Sequence, residues 1–234
     1  MGNIFHLILT QPLLNTLIWI YNILPFKDMG VAIIALTLLI RLVLLPSFHR
    51  QLKSQKELQQ LQPKLNEIKE KYKNDQQQQS KAIMELYREH KVNPFSSCLP
   101  LLIQLPILIA LYSVFLSGLK GNIGSELYPF IANPGDINTV FLGFVELSNP
   151  NLYFAFAAGI FQFIQSKMMM PKNQGPQDAT AKIMSAQFTY FMPILTVIIS
   201  MRLPAGLSLY WAVTTLFAIA QQYYIIRKDQ KRSE

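Results

Sequence analysis

The chain of 234 residues holds one cysteine and three histidines, and its long apolar runs contain no aspartate or glutamate. The single Cys98 excludes an internal disulfide framework and a multi-cysteine metal site; at the mouth of an apolar run it reads as a small buried hydrophobe. His6, His49 and His90 fall in different segments, and there is no HExxH pair, phosphate-cradling glycine loop or GxSxG elbow. No enzyme chemistry, metal or cofactor is therefore expected. Charged residues make up only 15% of the chain against 51% hydrophobic, and the apolar residues come in blocks. That pattern describes a polytopic membrane protein.

The blocks set the expected architecture, an all-α integral membrane protein with five transmembrane helices at residues 30–48, 94–117, 152–169, 183–201 and 206–226. Pro100 and Pro106 bend the second span, and the fourth is long enough only if it starts near Ile183. Residues 4–24 have no basic n-region and no small-residue cleavage site, so they do not read as a signal peptide. Leu14, Leu17, Ile18 and Tyr21 recur at helical spacing, with Trp19 and Tyr21 placed for headgroups. The reading is an amphipathic helix lying on the membrane and ended by Pro25, with a further span as the competing reading. Residues 50–91 carry ten Lys/Arg against six Asp/Glu and no crossing-length apolar run. Leu58, Leu61, Leu65, Ile68 and Tyr72 make a narrow seam, Ile83, Met84 and Tyr87 a second face, and Asn74-Asp75 a turn, which predicts a helical hairpin in water. Pro63 marks a kink or restart in its first arm.

Arg41 is the anomaly. It lies deep in the first apolar run, about 15 Å from Val31 and about 12 Å from His49 along a helix, and so near mid-bilayer. A charge there costs about 2.5–3.5 kcal/mol on insertion scales and marks a candidate site. A snorkelling side chain is the bland reading, but eight residues to the boundary is far for a snorkel. No acidic residue in any span can neutralise it, so its solvation falls to water and to polar neighbours: Thr37, Gln104, Gln162, Gln165, Ser208 and Thr214/Thr215. Singly, each of these is more simply a helix-helix hydrogen bond. If the five helices enclose a wet cavity open towards the cytoplasm, the cost of Arg41 falls and its field is aimed at anything anionic that enters.

Charge sets the orientation. With the N-terminus outside, seventeen of the twenty-one Lys/Arg lie inside, in residues 50–91, in the loop after the third span and in the tail 227–234. The net charge of +8 is thus a cytoplasmic face near anionic lipid, with ribosome contact as a minority reading and no DNA partner.

Several ordered motifs resemble the YidC/Oxa/Alb membrane-protein insertase family. They are Arg41 followed by Leu45-Pro46, Leu61-Gln62-Pro63-Lys64, Leu86-Tyr87, Asn93-Pro94, the run Cys98 to Ile107 with Gln104, Ala110-Leu111-Tyr112, Phe191-Met192-Pro193, and Leu203-Pro204-Ala205-Gly206-Leu207-Ser208-Leu209-Tyr210-Trp211. Ser96-Ser97 stands where the family often has a glycine pair, and Ala205 replaces a common serine; both are small-for-small changes. The resemblance covers nearly the whole chain from about residue 10 and is to a short bacterial form, without a large extracytoplasmic domain or a lipoprotein signal.

The resemblance implies a single insertase domain in the bacterial plasma membrane. It would consume no nucleotide and act alone or with the Sec translocon on newly made membrane proteins with acidic tails. Arg41, Thr37, Gln104, Gln162, Gln165, Ser208 and Trp211 would line the groove. The hairpin would make first contact with substrate through Leu61, Pro63, Leu65, Tyr72, Met84 and Tyr87. The third and fifth spans would form the path into lipid. A small channel or transporter is the alternative, disfavoured because five spans do not divide into two inverted repeats.

Overall fold

A computed structural model describes residues 2–93, 99–119, 123–169 and 187–233. Residues 94–98 and 183–186 of two expected spans, together with Cys98, Lys120, Lys172 and Lys182, lie outside the described residues. The described chain is almost wholly helical. In order come α1 (Gly2–Phe5), a π turn (His6–Thr10), α2 (Gln11–Ile23), α3 (Met29–Val43), α4 (Leu45–Gln60), α5 (Gln62–Lys71), α6 (Gln76–Glu89) and α7 (Leu99–Leu119). A two-stranded antiparallel hairpin follows, β1 (Val140–Phe141) with β2 (Val145–Glu146), and then α8 (Leu152–Met168), a second π turn (Gln187–Phe191), α9 (Met192–Ser200) and α10 (Ala205–Ser233). Among the described residues no single helix is long and apolar enough to cross a membrane; α3 with the first part of α4 does so as a bent pair.

Both π turns stand just ahead of a proline in the first turn of the next helix, Pro12 in α2 and Pro193 in α9. Proline has no N–H to give to the carbonyl four residues back, and a widened turn re-routes the ladder around that gap. Pro46 acts more strongly. The apolar run 30–48 is divided at Leu44 into α3 and α4, whose axes meet at 63°. Pro63 stands in the first turn of α5, a position where its missing donor costs nothing.

One core joins α2, α3, α7 and α10, with Leu14, Leu17, Ile18 and Tyr21 meeting Ile33, Leu36, Ile107, Leu111, Leu207 and Tyr210. The apolar stripe of α2, expected on the membrane surface, faces the protein instead. Tyr21 is 1% exposed and its hydroxyl accepts from the N–H of Asn138 at 2.8 Å, so it is a core residue and not a headgroup aromatic. The reason lies in segment 123–149, which folds over α2. Asn15 donates to the carbonyls of Gln11 (2.8 Å) and Glu126 (3.0 Å) and accepts from the N–H of Tyr128 (2.6 Å), while Asn22 donates to the carbonyl of Ala132 (2.7 Å).

The starts of α8 and α10 are fastened together. The N–H of Ala205 donates to the carbonyl of Asn149 at 2.9 Å and that of Gly206 to Leu147 at 3.1 Å. Asn151 caps α8 by accepting from Tyr153 and Phe154. Further along α8, Gly159 lies against Val197 and the carbonyl of Pro193 in α9, with no room for a Cβ. Small residues let helix backbones approach where lipid removes the hydrophobic drive for association. Gly159→Leu should therefore lower stability by about 1–3 kcal/mol through overpacking, read as a lower thermal midpoint of the protein in detergent.

The β-hairpin carries a pH response. The Glu146 carboxyl is held below the usual range, chiefly by the Thr139 hydroxyl and then by the side chain and N–H of Ser148 (3.0 Å). A lowered folded value means that the charged form stabilises the fold above the unfolded value of about 4.3, and that this contribution disappears as pH falls through the lowered value. Hydrogen exchange of residues 139–148 should accelerate relative to the rest of the chain below about pH 4, and Glu146→Gln should flatten that difference.

Candidate functional site

Arg41 occupies the last turn of α3, ahead of the break at Leu44. The 63° bend turns α4 so that the Phe48 ring lies 4.4 Å from the Arg41 guanidinium carbon. Such a cation–π contact contributes about 0.5–2 kcal/mol depending on desolvation. The residue is 8% exposed, and the ion pairs among the described residues, His6 with Glu126 and Lys53 with Glu57, do not involve it. On its other side α10 brings Tyr210 within electrostatic range, and the Tyr210 hydroxyl accepts from Gln104 Nε2 of α7 at 2.8 Å. Three helices thus converge on the guanidinium. Thr214, one turn beyond Tyr210, lies close enough to interact with it but meets no hydrogen-bond geometry.

Of the groove residues expected from sequence, Arg41 and Gln104 are brought together through Tyr210. Thr37 is buried one turn above Arg41, and its hydroxyl donates to the carbonyl of Ile33 at 2.6 Å. The Ser208 hydroxyl donates to the carbonyl of Ser200 at 3.3 Å. Trp211 is half-buried beside Tyr210, its carbonyl accepting from Thr215. Gln162 and Gln165 are half-buried on α8, and no described hydrogen bond joins them to the Arg41 cluster.

Other buried polar atoms meet no hydrogen-bond partner among the described residues. Both amide ends of Gln51, Nε2 of Gln221, Oε1 of Gln222, and the hydroxyls of Thr214 and Ser200 are in this state. Each such atom costs about 1–3 kcal/mol unless something outside the chain bonds to it. Gln51 follows Phe48 by one turn of α4, and Gln221 and Gln222 lie three turns beyond Tyr210 on α10. Sequence reasoning missed Phe48, Gln51, Tyr210, Gln221 and Gln222. The adjacent pair Gln221-Gln222 inside an apolar run was a visible signal, whereas Phe48 becomes relevant only through the bend.

In the polar segment, α5 and α6 lie antiparallel. Gln79 donates to the carbonyl of Lys69 at 3.1 Å, and Lys64 Nζ meets His90 Nε2 at 3.0 Å. Leu58, Leu61 and Val92 form a small core on which Tyr87 packs, and Leu65 and Leu86 are also buried. Burial pushes the Tyr87 phenol up. Leu61 and Leu65, expected at first contact with substrate, are thus covered by the helix pair itself. Pro63 is exposed, Tyr72 half-buried, and Met84 stands out at 63% exposure.

The model of the 60Kd inner membrane protein family matches residues 19–232. A membrane protein insertase YidC of Fusobacterium nucleatum is 40% identical over 201 residues, 86% of this chain and 87% of that protein. One from Clostridium tetani is 37% identical over 209 residues, 89% and 86% of the two chains. One from Geotalea daltonii is 37% identical over 219 residues, where the match spans 93% of this chain and only 37% of that longer protein.

Proposed function

The chain belongs to the 60Kd inner membrane protein family and is a membrane protein insertase of the bacterial inner membrane, and we propose that it works through a wet groove that crosses the bilayer part-way. The observation that carries this reading is Arg41, buried among three helices, with no described carboxylate to pair with and with unpartnered buried amides on the same elements. Five spans, at residues 30–48, 94–117, 152–169, 183–201 and 206–226, enclose the groove, with the N-terminus outside and the basic segments 50–91 and 227–234 inside.

Moving a polar tail across hydrocarbon is expensive because its groups lose water. A groove that hydrates the cytoplasmic half shortens the dry distance. Arg41 attracts acidic groups of the tail in passing, and burial of the substrate's own apolar helix in lipid supplies the driving free energy. Met84, at the exposed face of α6, is the residue of the cytoplasmic hairpin free to meet an apolar substrate segment first. Larger substrates are handled with the Sec translocon, and the basic hairpin and tail face anionic lipid and the ribosome.

The test is reconstitution of the chain into vesicles with a short single-span substrate and no nucleotide. The expected result is protease protection of the substrate's tail. Solute flux through the same vesicles without substrate protein, and without tail protection, would favour a channel instead.

A further inference from the structure

We propose that the turn joining β1 to β2, Leu142-Gly143-Phe144, is a lipid anchor that dips into the extracytoplasmic leaflet beside the first turn of α8. It rests on the orientation proposed above. The turn is tight: the Phe144 N–H donates to the carbonyl of Phe141 at 3.0 Å, and both central residues are left-handed, Leu142 at φ 49° and Gly143 at φ 78°. Turns of this kind favour asparagine followed by glycine. Leucine is a poor choice for that backbone and gains nothing from packing, being 60% exposed, while Phe144 beside it is 89% exposed. An unfavourable conformation that holds two apolar side chains outward points to a surface that receives them.

The tip is held firmly from behind. Asp28, itself buried, accepts from the Leu142 N–H at 2.7 Å through one carboxylate oxygen and from the Val31 N–H at 3.1 Å through the other, capping α3 at the same time. The Phe141 ring lies on Gly30 so closely that a Cβ there would collide with it, and it meets Phe154 of α8 edge-on at 6.0 Å. The tip is thereby fixed level with the N-terminal ends of α3 and α8.

From that level an exposed apolar face runs down α8 through Leu152, Phe156, Ile160 and Ile164, one residue per turn. In a protein of the inner membrane this face meets lipid, and further exposed rings stand on the segments that hold the tip, Tyr153 in the first turn of α8 and Phe26 just ahead of Asp28. Aromatic side chains collect at that boundary. Residues 137–145 carry no charge, and the nearest acids, Asp136 and Glu146, flank them. Two protruding apolar side chains, with the charges of Lys27, Asp136 and Glu146 on the segments behind them, suit the boundary of a bilayer, where apolar tips enter and charges stay with headgroups.

The test places a nitroxide spin label at Phe144→Cys, in the full chain carrying Cys98→Ser, within phosphatidylethanolamine–phosphatidylglycerol vesicles. Power saturation should show the label accessible to oxygen and shielded from a water-soluble nickel chelate, with the reverse at an Asp136→Cys label. Adding Phe144→Asp to a Leu142→Cys label should raise its nickel accessibility several-fold. Free access of nickel to the label at position 144 would overturn the proposal, and so would shielding from both reagents, which means a protein occupant. Tail protection of a single-span substrate is scored in the same vesicles. A lipid-shielded label with no insertion would count against the groove mechanism alone; a water-exposed label with intact insertion would count against the anchor alone.

Discussion

Replacing Arg41 by alanine is expected to slow insertion of substrates with acidic tails by about tenfold to a hundredfold and to leave substrates with neutral tails nearly unaffected. The magnitude follows from electrostatics: two unit charges about 6 Å apart at an effective dielectric of about 20 attract by about 2.8 kcal/mol, and each 1.4 kcal/mol is about a factor of ten in rate. Arg41→Lys should be largely tolerated, because a passing carboxylate needs a charge and not a fork of donors. Equal loss in both variants would show that the guanidinium is required for its shape, for example in its contact with Phe48. Stability is not expected to confound the result. No described carboxylate pairs with Arg41, so alanine leaves no orphaned acid behind, although the contact with the Phe48 ring is lost. The measurement is the initial rate of tail protection in vesicles for two substrates differing only in tail charge, at low and at high salt.

Asn15→Leu is expected to destabilise the fold by about 1–3 kcal/mol, the cost of leaving the N–H of Tyr128 without its acceptor. Asn15 is buried; it accepts from the N–H of Tyr128 and, together with Gln11, donates to the carbonyl of Glu126, which ties segment 123–149 to α2. Leucine has similar volume, so a loss would reflect polarity and not a cavity. Thermal unfolding in detergent should show the lower midpoint, and limited proteolysis should cut first within residues 123–149. An Asn15→Asp variant keeps the acceptor for Tyr128 but turns a buried carboxylate oxygen towards the carbonyls of Gln11 and Glu126, and should be destabilised at least as much.

These two residues show what a sequence yields and what it withholds. Arg41 was legible because a charge in an apolar run is anomalous whatever surrounds it. Asn15 is one polar residue in an apolar stretch, and its meaning depends on partners more than a hundred residues away. Tyr21 illustrates the same limit: helical spacing identifies an apolar stripe but not whether lipid or protein covers it. The fold class and the helical periodicity of residues 50–91 come from local pattern. The seam through Leu61 and Leu65 was equally visible, yet only the antiparallel partner α6 reveals that it closes upon itself. Tyr210 looks like any aromatic in an apolar run until Gln104 and Arg41 are set around it.

The fastening of α10 to the residues ahead of α8, through Ala205 with Asn149 and Gly206 with Leu147, makes the two helices a pair of tweezers pinned at one end. Any parting of the blades must pivot at the pin, so displacement grows with distance from it. From Ala205 to Gln222 the lever is about 25 Å long, and a 10° swing there separates the tips by about 4 Å while the pinned ends scarcely move. A swing of the two helices about that pin would therefore open the far end and leave the near one closed.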